Sequence, residues 1–172
     1  MANEQDLMRE LLDKQTCIEL VQRYSRALDW LDEEALKTVF WGDAEIDFGF
    51  FKGRGDQFIV NVMKVERSLA RRWHMTTNPL VRVSGDVAEG ESYGLAAGVM
   101  MREGRAVHDI FAGRYLDRFT RRDGVWRIAR RTYVADWQRS FEADPTAENT
   151  LVTGLNWSDS FNPSHPLYRK LA

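Results

Sequence analysis

The chain carries three histidines, at positions 74, 108 and 165, and their settings differ. His74 stands in "ARRWHMTTNPLV", between a basic helix-like run and a strand-like one. An imidazole can take up and release a proton near neutral pH, and a carboxylate on one ring nitrogen makes the other a stronger base. Acids are available upstream in "ALDWLDEE", at Asp29 and Asp32. On these residues alone, Asp29 reads as the surface end of a helix and His74 as a core histidine with its bonds satisfied. Asp32 suits the N-cap of the helix that follows it.

Other chemistries find less support. The histidines show no close ligand spacing such as HExxH, and Cys17 is the single cysteine, so neither a metal centre nor an intrachain disulfide is expected. "FKGRGD" contains GxG without the rest of a nucleotide loop, and a turn explains it. Ser158 and Ser160 lie near His165 in a tail-like stretch, not in a nucleophile system.

These residues sit on a recognisable succession of elements. Residues 4–28 have helical spacing through Leu7, Leu11, Ile18, Val21 and Leu28, with a break expected near "DKQT", where Thr16 and Glu19 form a capping box. "LDEEALKTVF" reads as a short helix capped by Asp32. "AEIDFGFF" alternates Ile46, Phe48 and Phe50 as a strand would, and "KGRGDQ" reads as a turn. Residues 56–70 return to helical spacing through Phe58, Ile59, Val62, Met63 and Val65. Four long strand-like runs follow, joined by "SGD", "REGR" and "RRDG". Helices followed by a run of long strands predict an α+β fold with an antiparallel meander. Gly90, Gly94, Gly98 and Gly113 inside the strands predict bulges that curl the sheet. A curled sheet with helices across its open face makes a cone with an internal pocket.

At 172 residues the chain suits one domain, and its net charge of −2 gives no general reason to bind nucleic acid or an anionic membrane. "MANEQDLMRE" lacks the pattern of a secretory signal, and no apolar run approaches the roughly 20 residues of a membrane helix, so a cytoplasmic location is expected. Six Trp, nine Phe and five Tyr fill a core and can also line a pocket for a flat organic ligand.

"RYSRALDWLDEEALKTVF", then "WHMTTN", then "GRYLDRFTRRDGVWRIARRTYVADW" resemble the SnoaL-like branch of the nuclear transport factor 2-like superfamily over residues 10–138. The resemblance implies a single domain over residues 1–172, with a cone-shaped curved sheet and a deep pocket. Residues 139–172 would be an extension packed on the body or on a neighbouring subunit. That superfamily includes scytalone dehydratase, lindane dehydrochlorinase, a bile-acid dehydratase, polyketide cyclases and ketosteroid isomerase, alongside members that only bind.

In its dehydratase-like members an Asp at the end of the first helical region pairs with a His at the start of a strand, and Asp29 and His74 match those positions. Tyr24 matches a pocket donor, His108 a second pocket histidine on an offset alignment, and Arg131 an arginine that stabilises anionic charge. Arg130 would then face solvent and pair with a strand neighbour such as Asp117. Ser92 and Tyr93 could also present a hydroxyl to the pocket, although a plain strand role accounts better for each. Phe48, Phe50, Trp73, Phe111, Trp137 and Trp157 are the expected cavity walls.

The resulting expectation is a lyase without cofactor or metal, acting on a hydrophobic, aromatic small molecule by Asp–His-assisted proton abstraction. Water loss comes first, with formaldehyde-releasing fragmentation of a diaryl alcohol and isomerisation as relatives. A non-catalytic binding or assembly module, or the small subunit of a ring-hydroxylating oxygenase, is the alternative. Homo-oligomerisation through the outer face of the sheet is expected because strands such as "AAGVMM" are apolar on both faces.

Overall fold

The computed structural model describes residues 3–142, 157, 158 and 161–171. Helices α1 (Glu4–Asp29), α2 (Glu33–Val39) and α3 (Gly55–Ser68) precede four long strands. Strands β1 (Phe40–Asp47) and β2 (Lys52–Arg54) lie between α2 and α3; β3 (Arg71–Ser84), β4 (Val87–Arg102), β5 (Arg105–Arg122) and β6 (Val125–Glu142) follow.

The sheet runs β2-β1-β6-β5-β4-β3 and does not close, since β2 and β3 are its two edges. The meander β3 to β6 is antiparallel, as the tight turns require. The antiparallel expectation needs one correction: β1 joins β6 in parallel, because the chain enters it from a helix and not from a hairpin. Register shifts at Ala112/Gly113 and Arg118/Phe119 against β6 bend the strands, and the helices cover the concave side.

Of the four strand glycines, Gly113 lies at such a shift, while Gly94 runs in plain register opposite it. Both serve close approach. A Cβ on Gly94 would stand 2.6 Å from the Tyr115 ring, and one on Gly113 would stand 2.7 Å from the Tyr133 ring. The pair therefore forms a trough in which two tyrosines lie against the sheet.

The expected break in the first helix does not occur. Thr16 donates its hydroxyl to Leu12 O one turn back instead of capping a new helix, and α1 runs 26 residues unbroken. It ends where Leu31 turns left-handed (φ 52) and Asp32 N closes onto Ala27 O at 2.8 Å. This leaves Asp29 in the last turn, over the edge strand β3. Asp32 caps α2 through Ala35 N, as its position predicts, and also accepts from the Tyr168 hydroxyl. β1 stops at Asp47, so Phe48 and Phe50 belong to the following turn and not to a strand.

Residues 161–171 dress the end of α1. Phe161 stacks on Trp30 with ring centroids 4.1 Å apart, and Trp157 lies under the Arg71 guanidinium. No helix among the described residues is long and apolar enough to cross a membrane.

Candidate active site

α1 lies along the free edge of β3, and that contact brings Asp29 to His74. Asp29 Oδ1 is 2.8 Å from His74 Nδ1, and Oδ2 accepts from the His74 backbone N–H at 3.2 Å. A carboxylate only accepts, so Nδ1 carries the hydrogen and Nε2 is left with the lone pair. The His74 side chain is 10% exposed. Burial opposes charging the ring, yet the Asp29 hydrogen bond and the nearby Glu66 and Asp29 charges hold its pKa above the usual value.

Nε2 points toward Glu66, whose Oε1 is 3.5 Å away. That is too long for a strong bond and close enough for strong electrostatic coupling. Glu66 is buried and its Oε2 has no hydrogen-bond partner among the described residues. Burial lifts the Glu66 carboxyl above its ordinary range, opposed by His74 and Arg72. Nothing in the sequence reading marked this residue. A signal existed: Glu66 continues the Ile59–Met63 row on the buried face of α3, where a carboxylate has no solvent to face.

Cross-strand partners share a face, which sorts the remaining candidates. His74, Ala96, Phe111 and Gln138 form one row on the concave side, and Ser92 and Tyr115 form part of another. Arg131 also points inward and is fully buried, while Arg130 points outward toward Glu45. Asp117 was expected beside the outward arginine. It instead grips Arg131, accepting from Nε and Nη2 at 2.7 Å each. The Arg131 guanidinium lies 4.4 Å from the Tyr24 ring centroid and 4.3 Å from that of Tyr115.

Burial raises the Tyr24 phenol well above its ordinary value, with Tyr115 adding to the effect and Arg131 opposing it. The same burial pushes Tyr115 up to about 12. Both phenols therefore act as neutral donors. Arg131 Nη1 and Ser92 Oγ, like Glu66 Oε2, are buried without a partner among the described residues. Thr120 Oγ1 and Arg127 Nε are likewise buried without a partner among the described residues.

Several expected residues lie elsewhere. Trp73 neighbours His74 in the same strand, so it faces the other way and is half exposed on the convex side. His108 also lies on the convex side, stacked on Phe141, because the inward positions of β5 are the odd ones that include Asp109 and Tyr115. Trp137 pairs with Ala112 and is convex too, since the register shift resets the alternation in β6. Tyr93 faces outward against Arg114. Phe50 is 86% exposed at its turn, whereas Phe48 stacks on Phe58 and Tyr133 inside. Phe111 is concave and 37% exposed. Trp157 is half exposed beside Arg71, away from the concave side.

A cavity of about 300 Å3 opens beside the pair, lined by Gln22, Ser25, Arg26, Asp29, Trp30, His74, Met75 and Thr76. A larger concavity of about 700 Å3 lies on the convex side, lined mainly by Leu80, Arg82, Glu89, Leu116, Arg118 and Arg130. It does not contain the pair and has no titratable group held as His74 is.

The SnoaL-like domain pattern matches residues 9–132. The fold is similar to that of hexachlorocyclohexane dehydrochlorinase LinA-type3 from Novosphingobium barchaimii, with TM-score 0.70 and 22% identity, covering 87% of this chain and 99% of that one. A candidate scytalone dehydratase from Novosphingobium aromaticivorans has TM-score 0.67 and 22% identity over 78% of this chain and 91% of its own. A nuclear transport factor 2-like superfamily protein from Salmonella enterica serovar Typhimurium has TM-score 0.62 and 21% identity over 71% and 89%. No curated protein sequence matches the chain.

Proposed function

Because this chain belongs to the SnoaL-like domain family, whose fold hosts lyases and non-enzymes alike, we propose on the strength of its own site that it is a cofactor-independent lyase. Its substrate is a hydrophobic aryl alcohol, and the reaction is elimination, with loss of water as the first case. The observation that carries this reading is the 2.8 Å Asp29–His74 contact, which turns the Nε2 lone pair toward the buried concave side. In this mechanism His74 Nε2 removes a proton from the substrate. Asp29 holds the tautomer and stabilises the imidazolium that forms. Tyr24 and Arg131 provide a neutral donor and a fixed positive charge for oxygen that gains negative charge. The stacked rings of Phe48 and Tyr133 and the part-exposed, concave Phe111 suit a flat aromatic body.

The test is turnover of a panel of aryl alcohols by the purified protein, followed across pH. His74 must be neutral to accept a proton, and its pKa is raised. The acidic limb of kcat/KM is therefore expected to lie above the ordinary histidine value of about 6.5, with activity rising as pH rises through it. A limb below that value, or no elimination product from any aryl alcohol, would reject the reading.

The extension of residues 139–172 belongs in this proposal to the same domain, and among its described residues Phe161 stacks on Trp30 at the end of α1 and Trp157 lies against Arg71. The convex face is proposed to bind a second copy of the chain. Trp73, Met75, Tyr93, Trp137 and Phe141 share it, each about 40–50% exposed, and a monomer seldom leaves so much contiguous apolar surface in water. Light scattering on the eluting protein is expected to give a multiple of the 20.0 kDa chain, and Trp137→Glu to lower it. A wild-type mass equal to one chain would refute this part.

A further inference from the structure

The lyase reading assigns a base but leaves open what protonates the departing oxygen. Glu66 occupies the other side of the imidazole from Asp29. Its side chain is 7% exposed, its Oε1 is 3.5 Å from His74 Nε2, and its Oε2 has no partner among the described residues. Charged and titratable neighbours come from two elements: His74 and Arg72 on β3, and Asp29 and Tyr24 on α1. A structural ion pair would place the Arg72 guanidinium on the carboxylate. Arg72 instead gives Nε to the Glu66 main-chain carbonyl and Nη2 to that of Leu69. The side chain is thus buried, turned toward the ring that abstracts the proton, and not consumed in packing or pairing.

Resting on the lyase reading, we propose that Glu66 is the general acid of the elimination and that it exchanges one proton with His74 in each turnover. At the start Glu66 is a carboxylic acid and His74 a neutral imidazole. His74 Nε2 takes the proton from the carbon next to the carbinol carbon. The C–H electron pair becomes the new C=C bond as the C–O bond breaks, and the leaving oxygen takes the proton of Glu66 to depart as water. The site is left as imidazolium and carboxylate, 3.5 Å apart, and transfer of the Nε2 proton to Oε1 restores both. Hydrogen balances without an external acid or base: one proton leaves carbon, one joins hydroxide, and the internal transfer closes the cycle. Burial raises the carboxyl above its ordinary range, the direction that favours the protonated form this role requires.

The experiment compares Glu66→Gln and His74→Ala on two substrates of one carbon skeleton, one losing hydroxide and the other chloride. Chloride departs without a proton, so only the hydroxyl substrate needs the acid. Glu66→Gln is expected to lower kcat/KM about 100-fold on the alcohol and less than about fivefold on the chloride, while His74→Ala loses both. The wild-type alcohol profile is expected to be bell-shaped, with the alkaline limb absent in Glu66→Gln. Equal losses on both substrates, or none on either, would overturn the acid role. Full activity of His74→Ala would instead refute the base beneath it, so the two failures are distinguishable.

A second measurement uses wild-type protein alone. Carbon-13 signals of the Glu66 carboxyl and nitrogen-15 signals of the His74 ring are expected to account for one shared proton on Glu66 Oε and His74 Nε2 at pH 7. Finding that proton absent from both groups would refute the proposal even if Glu66→Gln did not fold.

Discussion

His74→Ala is expected to lower turnover of an aryl alcohol by about a thousandfold while leaving the fold intact. General-base catalysis alone contributes about 10²–10⁴, and the nearby Glu66 and Asp29 carboxyls lie on either side of the ring and do not occupy the position of Nε2. The fold should survive because the ring sits on an edge strand and outside the hydrophobic core cluster. β3 keeps its ladder with β4 through residues 71–84 in any case. Asp29→Asn is the more informative partner. The amide retains an oxygen for the His74 backbone N–H but loses the full negative charge that raises the ring pKa. Burial then prevails, the acidic limb moves to lower pH, and the maximum falls by about two orders of magnitude because the tautomer is no longer enforced. Kinetics across pH with circular dichroism as the fold control check both variants. Wild-type activity in either one would end the proposal that this pair starts the reaction.

The largest effect on stability is expected from Asp117→Ala. Arg131 has no solvent exposure, and the two bonds from Asp117 are its neutralising contacts, with Tyr24, Phe40 and Tyr115 ring faces around the rest. Removing the carboxylate strands a cation that cannot reach water, at a cost of about 3–5 kcal/mol. For a chain of this size that corresponds to a fall in Tm of roughly 6–20 °C. Replacing both members by apolar residues, as in Asp117→Leu with Arg131→Met, should recover most of the loss, because the penalty lies in the unpaired charge. Thermal and urea unfolding of the single and double variants give the answer. A loss under about 1 kcal/mol in Asp117→Ala would mean that Arg131 finds water or another anion.

Much of this architecture was legible along the chain. The order of the helices and of the five longer strands, the hairpin turns, the Asp32 cap and the match of Asp29 and His74 to a known pattern all rest on neighbours within a few residues or on motif order, whereas the short strand β2 (Lys52–Arg54) reads as a turn. Local rules act over that range, and turn chemistry and apolar spacing express them directly. Even one correction was implicit there: His74 and Trp73 are adjacent in a strand, so they could not both face inward.

Which alternate residues of β5 and β6 face the helices was not legible. The register shifts beside Gly113 and Phe119 move the parity of β6 by one residue each, sending Trp137 outward and Arg131 inward onto Asp117. A bulge leaves little mark in composition because it depends on how two distant strands align. Glu66 teaches the same lesson at short range. Only the turn of the chain from α3 into β3 brings its carboxyl to His74 Nε2. The backbone's local preferences determine what each segment becomes. The burial of one segment against another determines which side chains meet, and burial is a property of the assembled molecule.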